Sequence, residues 1–250
     1  MNLNETTNSG STPLYKACQG GHYDTVKFLL DLNGQTLNSR RYNKKRKGRS
    51  AHVACKEGHI KVKLLIDAGM NLNDTTNTGS TPLYKACQGG HYDTVKFLLD
   101  LNGQTLNSRV DTTIKHEKGR SALHVACKEG HIEVVKLLID AGMNLNDTTN
   151  TGSTPLYKAC QGGHYDTVKF LLDLNGQTLN SRVDTTIKHE NGWSALHVAC
   201  KEGHAEIHNL LIDVGMNINE RDNVGRTAVH LACMNGHGDI VKILKDNCAE

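Results

Sequence analysis

The chain has 250 residues, of which 37% are apolar and only 4% are aromatic, and its formal net charge is +3. A single deep core usually takes its bulk from aromatic side chains, so this composition favours thin layers of aliphatic helices. The mild charge gives no general attraction to nucleic acid or to membrane surfaces. Residues 1–10 are too polar for a signal peptide, and no apolar run reaches the ~20 residues that cross a bilayer.

The chain repeats itself along nearly its whole length. The stretch from Lys63 to Glu117 recurs without a substitution from Lys136 to Glu190, an offset of 73 residues. Each such stretch contains two related repeats. The distance from the start of one repeat to the start of the next alternates between 38–40 and 31–33 residues. Seven starts are visible, at Gly10, Gly48, Gly79, Gly119, Gly152, Gly192 and Gly225. Because a fixed period in this range indicates stacked repeats, we predict one array over residues 1–250.

The repeat that begins at Gly79 predicts a pair of helices. Thr81 supplies an N-cap, and Pro82 follows at the first helical position, where its missing N–H costs nothing. Apolar residues then recur at the spacing of one helix face until the glycine pair 89–90 ends the helix. The same spacing predicts a second helix that ends in a left-handed conformation at Gly103. Two such short helices need neighbours on both sides to bury their apolar faces.

Repeats that read Gly-Ser-Thr-Pro-Leu-Tyr-Lys-Ala alternate with repeats such as Gly-Arg-Ser-Ala-Leu-His-Val-Ala. They resemble the ankyrin repeat, whose pattern reads Gly-x-Thr-Pro-Leu-His-x-Ala, followed by Gly-His. The best matches run from Gly10 to Ala17, from Gly119 to Ala126 and from Gly225 to Ala232. The resemblance implies an all-α ankyrin-repeat solenoid, in which stacked helix-turn-helix units carry hairpin fingers. It also implies a function in binding other proteins.

A basic run, residues 40–47, interrupts the pattern near the start of the chain. It resembles a nuclear-import signal and could also contact an acidic partner, while the alternative is a solvated charged loop. The residues of the candidate import signal are Lys44, Lys45, Arg46 and Lys47.

The repeat that begins at Gly48 lacks two residues of the pattern, one after Ala51 and one between Ile60 and Lys63. Such deletions shift the helical phase, so we predict that this repeat is the least regular of the seven. Terminal repeats normally need a polar outer face, and neither end of the chain shows a distinct cap. We therefore expect a fragment of a longer array.

A ten-residue insert, Ser108 to Glu117, recurs as Ser181 to Glu190 and explains the 40-residue spacings. Its β-branched centre predicts a short extended hairpin that lengthens a finger, and the alternative is a tolerated loop without a role. We predict a partner-binding finger. Its candidate residues are Val110, Asp111, Thr112, Thr113, Ile114, Lys115 and His116, with Val183, Asp184, Thr185, Thr186, Ile187, Lys188 and His189 in the second copy.

The ankyrin resemblance implies a concave groove lined by fingers and by the outward face of each first helix. Carried over to this sequence, that face includes Val125 and Val198. It also includes the candidate partner-binding residues Lys85, Gln88, Lys128, Glu129, Lys158, Gln161, Lys201 and Glu202.

Cysteine and histidine recur in fixed slots of the repeat. Seven of the eight cysteines directly follow the first-helix alanine, where a small core residue fits: Cys18, Cys55, Cys87, Cys127, Cys160, Cys200 and Cys233. Helix layers stack about 8–10 Å apart, too far for disulfides between equivalent cysteines, so we expect reduced thiols. The spacing of His124, Cys127 and His131 suits zinc. The resemblance implies instead that the first histidine ties loops together and the second braces a turn, so we expect no metal and no cofactor.

No catalytic constellation stands apart from the repeats, so we expect no enzyme activity. The leading hypothesis is a monomeric cytoplasmic scaffold that binds a protein partner, without nucleic acid, membrane span or disulfides. The alternatives are a targeting arm of a larger enzyme or channel and a nuclear regulator.

Overall fold

The computed structural model describes residues 71–101, 110–174 and 182–247, together with Ala17, Thr25, Val53 and Cys55. Two compact units divide the chain, unit 1 at Met1–Glu117 and unit 2 at Lys118–Glu250. The described residues form helices, turns and irregular loops, and none of them forms a strand. Within these ranges no helix is both long enough and apolar enough to span a membrane.

Unit 1 contains a helix pair, α1 (Pro82–Gln88) and α2 (Tyr92–Asp100). The side chain of Thr81 accepts a hydrogen bond at 3.1 Å from a backbone N–H in the first turn of α1, where Pro82 lies. The predicted cap and helix start are therefore confirmed. α2 packs against α1. The predicted end of the second helix, Gly103, lies outside the described residues.

Unit 2 contains four helix pairs among its described residues. They are α3 (Ala122–Glu129) with α4 (Ile132–Asp140), α5 (Pro155–Gly162) with α6 (Tyr165–Asp173), α7 (Ala195–Glu202) with α8 (Ala205–Asp213), and α9 (Ala228–Met234) with α10 (Gly238–Asn247). The alternation of helix and turn that the sequence predicts is thus confirmed in this unit.

Two helix layers build unit 2. The first helices pack in series, α3 on α5, α5 on α7 and α7 on α9, and the second helices α4, α6, α8 and α10 form the other layer. Leucines at repeating positions fill the space between helices and are at most 1% exposed: Leu123, Leu138, Leu156, Leu171 and Leu196. Stability is therefore a sum of terms within each pair and between neighbouring pairs.

The turn between the helices of a pair requires glycine. Gly130 has a φ of +76° and ends α3 in the left-handed conformation. A side chain here would also collide with the ring of His164, which packs against this turn from the next repeat. Glycine is therefore favoured at this position for two reasons: the backbone has a positive φ, and there is no room for a side chain.

The predicted extended hairpin in the insert is wrong for the residues that the structure describes. Residues 110–118 form turns and irregular backbone. The side chain of Asp111 accepts hydrogen bonds from the backbone N–H of Thr113 at 2.9 Å and from its hydroxyl at 2.6 Å, and Asp184 and Thr186 repeat this geometry. Aspartate thus closes a local turn, which outweighs the strand preference of the β-branched residues.

Two further predictions concern parts of the chain that are mostly outside the described residues. The basic run 40–47 lies wholly outside them. In the repeat that begins at Gly48, the structure describes Val53 and Cys55, which are helical and 6% and 0% exposed. The irregularity of this repeat stays a prediction, as does the single array over the whole chain.

Candidate partner-binding surface

The candidate residues on the first helices lie at the surface. Lys85, Gln88, Lys128, Lys158, Gln161, Lys201 and Glu202 are partly exposed and Glu129 is exposed. Two kinds of polar pair alternate along the repeats. Lysine bonds glutamine in α1 and α5, at 3.0 and 2.9 Å. It pairs with glutamate in α3 and α7, at 3.3 and 2.7 Å. The carboxylates therefore offset lysine charge in α3 and α7, while the amides leave it in place.

The expectation that Val125 and Val198 face the groove is wrong. They are 1% and 0% exposed. They occupy the same helical position as Lys158 in α5. A lysine is long enough to carry its ammonium group past the neighbouring helix, whereas a valine ends beneath it.

The long fingers present alternate residues to solvent. Asp111, Thr113 and Lys115 are exposed, Thr112, Ile114 and His116 are partly exposed, and residues 184–189 repeat this alternation. Val110 and Val183 are each 4% exposed, so these two candidates lie in the core and not at the surface as predicted. The residue that follows each valine is held by a hydrogen bond. The backbone N–H of Asp111 donates to the side chain of Asn73 at 2.8 Å, and Asp184 donates to Asn146 at 2.8 Å.

The fingers are also braced by aromatic stacking that the sequence analysis missed. The rings of Tyr84 and His116 lie 5.4 Å apart at 23°, and those of Tyr157 and His189 lie 5.5 Å apart at 17°. These tyrosines replace the loop-tying histidine of the other repeats. The signal was present in the sequence, since each long finger carries a histidine and each is preceded by a tyrosine-bearing helix.

Histidines hold neighbouring repeats together, as the family resemblance implies. In unit 2, the Nε2 of His124 lies 3.0 Å from the carbonyl oxygen of Ser153 in the next loop. The Nε2 of His164 lies 2.8 Å from the carbonyl oxygen of Lys128, which lies near the end of α3 in the preceding repeat. The Nδ1 of His124 bonds Ser121 as well. Within the described ranges no group of three or more His, Cys, Asp and Glu residues is arranged to hold a metal ion.

Most of the described cysteines lie in the core as expected. Burial raises the pKa of the Cys200 thiol to about 12, and raises that of Cys127 and Cys160 above its usual range. Cys233 departs from the prediction because it is exposed. Its helix α9 packs on α7, and no other described first helix covers its opposite side.

Trp193 is a surface feature that the sequence analysis did not single out. It is the chain's one tryptophan, and its slot before the helix N-cap holds arginine at Arg120 and Arg226. Its ring is partly exposed and its Nε1–H donates to the Oδ2 of Asp222 at 3.0 Å. The Lys201 Nζ and the Arg226 guanidinium lie 5.7 and 5.9 Å from the ring centre. The ring is therefore held at its edge and flanked by two cations.

Asp222 anchors this arrangement as a carboxylate. Burial raises its pKa, but hydrogen bonds from the Arg226 backbone, the Trp193 indole and the Arg226 side chain outweigh burial and bring the pKa to about 2. The Arg226 Nε lies 2.9 Å from the Asp222 Oδ2. Asp222 is thus ionised at neutral pH and fixes both neighbours.

A second group of cations lies around Lys158. Burial lowers the pKa of its ammonium group to about 8, with repulsion from Arg120 and Lys128 acting in the same direction. The Lys158 Nζ has neutral neighbours, Gln161 Oε1 at 2.9 Å and the Tyr157 ring at 5.5 Å. Among the described residues no carboxylate lies within ion-pairing distance of Lys158 or Arg120.

Comparisons with known proteins agree with this architecture. A family model described as Ankyrin repeats (3 copies) matches residues 37–110, 103–183 and 177–250. Another, Ankyrin repeats (many copies), matches residues 1–30. The crystal structure of the human ASB11 ankyrin repeat domain is similar with a TM-score of 0.69 and 30% identity, over 88% of this chain and 91% of that one.

Two curated relatives are much longer than the matched region. The Probable E3 ubiquitin-protein ligase XBOS32 of Oryza sativa subsp. japonica is 27% identical over 210 residues, which are 83% of this chain and 38% of the ligase. Serine/threonine-protein kinase TNNI3K of Mus musculus is 30% identical over 99 residues, which are 39% of this chain and 12% of the kinase. The similarity thus covers less than half of either relative. The matches to the family models extend over nearly the whole sequence, and the chain belongs to the ankyrin repeat family.

Proposed function

We propose that the chain is a non-enzymatic scaffold that binds a partner protein through the exposed residues of its first helices and its long fingers. Ankyrin repeats are generally protein-protein interaction modules, and the fold is typically non-catalytic. The observation that carries the proposal is a division of roles within each repeat. Histidines, glycines and cysteines serve the stack itself, while the lysines, glutamates and glutamines of the first helices remain at the surface.

The fingers support the proposal because they are held in place before a partner arrives. In each copy the aspartate closes a turn, an asparagine of the preceding finger bonds the backbone, and a histidine stacks on a tyrosine. In unit 2 the Nζ of Lys188 also pairs with the Glu220 carboxylate at 2.7 Å. An ordered loop loses less conformational entropy on binding than a floppy one. This favours the binding finger over the loop without a role.

A second candidate function is a targeting arm of a larger enzyme. The relatives named above include a kinase and a ubiquitin ligase, and in both the similarity covers only part of the protein. In that case the scaffold would bring a substrate to a catalytic domain elsewhere. The nuclear regulator remains a third hypothesis that rests on residues 44–47, and loss of nuclear signal after their replacement by alanine would support it.

The test compares proteins captured from cells by the unchanged chain and by two variants. The first variant carries Lys128→Ser, Lys158→Ser and Lys201→Ser on the first helices of unit 2. The second carries Asp184→Ala and Lys188→Ala in its finger. We expect specific partners, quantified by mass spectrometry, to be lost from both.

A control variant changes the other helix layer. Lys169 is exposed on α6, so Lys169→Ser removes a surface lysine from the layer of second helices. It should retain every partner. Equal loss of partners from the control, or retention by both test variants, would contradict the proposed surface. Circular dichroism of all three variants verifies that the fold is unchanged.

A further inference from the structure

We propose that Arg120, Lys128, Lys158, Lys201 and Arg226, together with Trp193, form a docking site for an acidic peptide segment that also carries an apolar side chain. We call these six residues the basic surface. The inference rests on the proposed function and names the chemistry of the partner. It concerns unit 2 alone.

Charge is the first argument. Three carboxylates lie beside the basic surface, and each is already paired: Glu129 with Lys128, Glu202 with Lys201, and Asp222 with Arg226. Arg120 and Lys158 have no such partner among the described residues. The five cations therefore exceed the three neighbouring carboxylates, and the surplus is concentrated at two named groups.

The surroundings of Lys158 are the second argument. Its ammonium group is half-buried and repelled by Arg120 and Lys128, while only a glutamine oxygen and a tyrosine ring stabilise it. Burying a cation without a counter-ion is unfavourable. A carboxylate from a partner would supply that counter-ion and offset the repulsion among the three cations. Complementary charge of this kind gives an interface its orientation and its specificity.

Trp193 is the third argument. The indole ring is partly exposed and is held at its edge by Asp222, so its exposed part loses little freedom on binding. Lys201 and Arg226 lie over the ring, so a segment that carries both carboxylates and an apolar residue matches these groups. Tryptophan and arginine are also the residues that most often dominate the binding energy of protein interfaces.

A peptide fits this surface better than a nucleic acid does. Phosphates follow each other along a nucleic-acid strand without interruption, and binding requires an unbroken line of cations. Here Glu129 and Glu202 lie at the surface beside Lys128 and Lys201 and would repel such a strand. A peptide can place its carboxylates opposite Arg120 and Lys158 and leave neutral residues opposite the glutamates.

The experiment measures binding of short fluorescein-labelled synthetic peptides to the full chain at about 0.15 M salt. The first peptide contains glutamates separated by leucine and phenylalanine, the second replaces every glutamate by glutamine, and the third replaces every glutamate by lysine. Because Trp193 is the chain's one tryptophan, its emission reports occupancy of the site independently of the label. We expect the acidic peptide to bind at least about tenfold more tightly than the glutamine peptide and to change Trp193 emission.

Three variants locate the site. Lys158→Gln and Arg120→Ser each remove one surplus cation, and serine already occupies the Arg120 slot at Ser153, so the fold should tolerate it. Each should weaken the acidic peptide about five- to tenfold and leave the glutamine peptide unchanged. Trp193→Arg introduces the residue found in the same slot at Arg226. It should weaken the leucine-phenylalanine acidic peptide but not an acidic peptide whose apolar residues are replaced by glycine.

The control is Lys169→Gln, which lowers the net charge equally on α6 and should bind the acidic peptide like the unchanged chain. Equal affinity for the acidic and glutamine peptides, or an equal loss in the Lys169 control, would overturn the inference. Tighter binding of a single-stranded oligonucleotide of matched charge would also overturn the inference.

A display library of random peptides separates this inference from the proposed function. If the library yields only non-acidic peptides whose binding requires the first helices, the acidic-peptide inference is refuted and the proposed function stands. If no selected peptide binds to the first helices, both the inference and the proposed function are refuted.

Discussion

Replacing His208 by valine should stabilise unit 2, and more so in acid. His208 lies on α8 and is 0% exposed. Its Nδ1 bonds the Oδ1 of Asn209 at 3.0 Å, while its Nε2 has no hydrogen-bond partner in the part of the chain that the structure describes. The same helical slot holds valine in the other described repeats, as at Val135 and Val168, each 0% exposed. The repeat therefore accommodates valine at this position.

The size of the effect follows from the unpaired nitrogen. A buried polar group without a partner costs about 1–3 kcal/mol. Valine removes this cost and buries a comparable apolar area, but its smaller volume leaves a small cavity that offsets part of the stabilisation. At neutral pH we expect His208→Val to raise the free energy of unfolding by about 1–2 kcal/mol.

The pH dependence has a definite sign. Burial lowers the pKa of His208 in the folded state, and the bond to Asn209 offsets this only in part. Below the usual histidine pKa of about 6.5, the unfolded chain binds a proton at His208 that the folded chain does not. Stability is then lost as pH falls, by up to about 1.4 kcal/mol per pH unit, until the folded-state pKa is reached. The advantage of valine should grow over this window.

Urea unfolding followed by circular dichroism at mildly alkaline and mildly acidic pH measures both effects. Stacked repeats need not unfold in a single step, so hydrogen exchange of the α8 amides tests whether both effects arise in the repeat that contains His208. The matched control is Val135→His, which places histidine in the same slot of α4 and should lower stability with the same acid dependence. A valine variant that is less stable at both pH values, or as acid-sensitive as the unchanged chain, would refute the reasoning.

Two further predictions concern glycine and cysteine. Gly130→Ala should cost about 1 kcal/mol more than Gly142→Ala in urea unfolding, because both glycines have positive φ but only at Gly130 would the added methyl group collide with the ring of His164. Equal losses would show that this collision has no effect on stability. The exposed Cys233 should react with a thiol reagent in the native protein, whereas Cys160, which is 0% exposed, should stay unmodified until the protein unfolds. Mass spectrometry measures the labelling of each cysteine. Labelling of both at the same rate would contradict the buried position of Cys160.

Local sequence patterns predicted the helices well because their causes are local. The Thr81 cap, the glycine turns and the spacing of apolar residues each act within a few positions, and the structure contains the helices they indicate. The hairpin in the insert failed for the opposite reason. Strand formation needs a partner strand, and in its absence the side chain of Asp111 closed a turn. Burial of Val110 likewise depends on the neighbouring finger, which the periodicity of one segment does not reveal.

The candidate surface was only partly predictable. The lysines and glutamates of the first helices were identified from the family pattern, and they do lie at the surface. Trp193 was missed because a lone tryptophan before an N-cap has no motif. Its importance follows from the distances to Asp222, Lys201 and Arg226, which come from two neighbouring repeats. Such contacts depend on the stacking of repeats and cannot be deduced from one repeat.

The duplication within the chain bears on where specificity arises. Residues 136–190 copy residues 63–117 exactly, so a partner that contacts only these residues meets the same chemistry twice. The copies diverge immediately afterwards, where Asn191 and Trp193 stand at the positions of Lys118 and Arg120. The Oδ1 of Asn191 accepts a hydrogen bond from the backbone N–H of residue 193 at 3.1 Å. Discrimination between partners requires a difference in contacts. We therefore expect any difference in partner preference between the two copies to arise at these divergent residues.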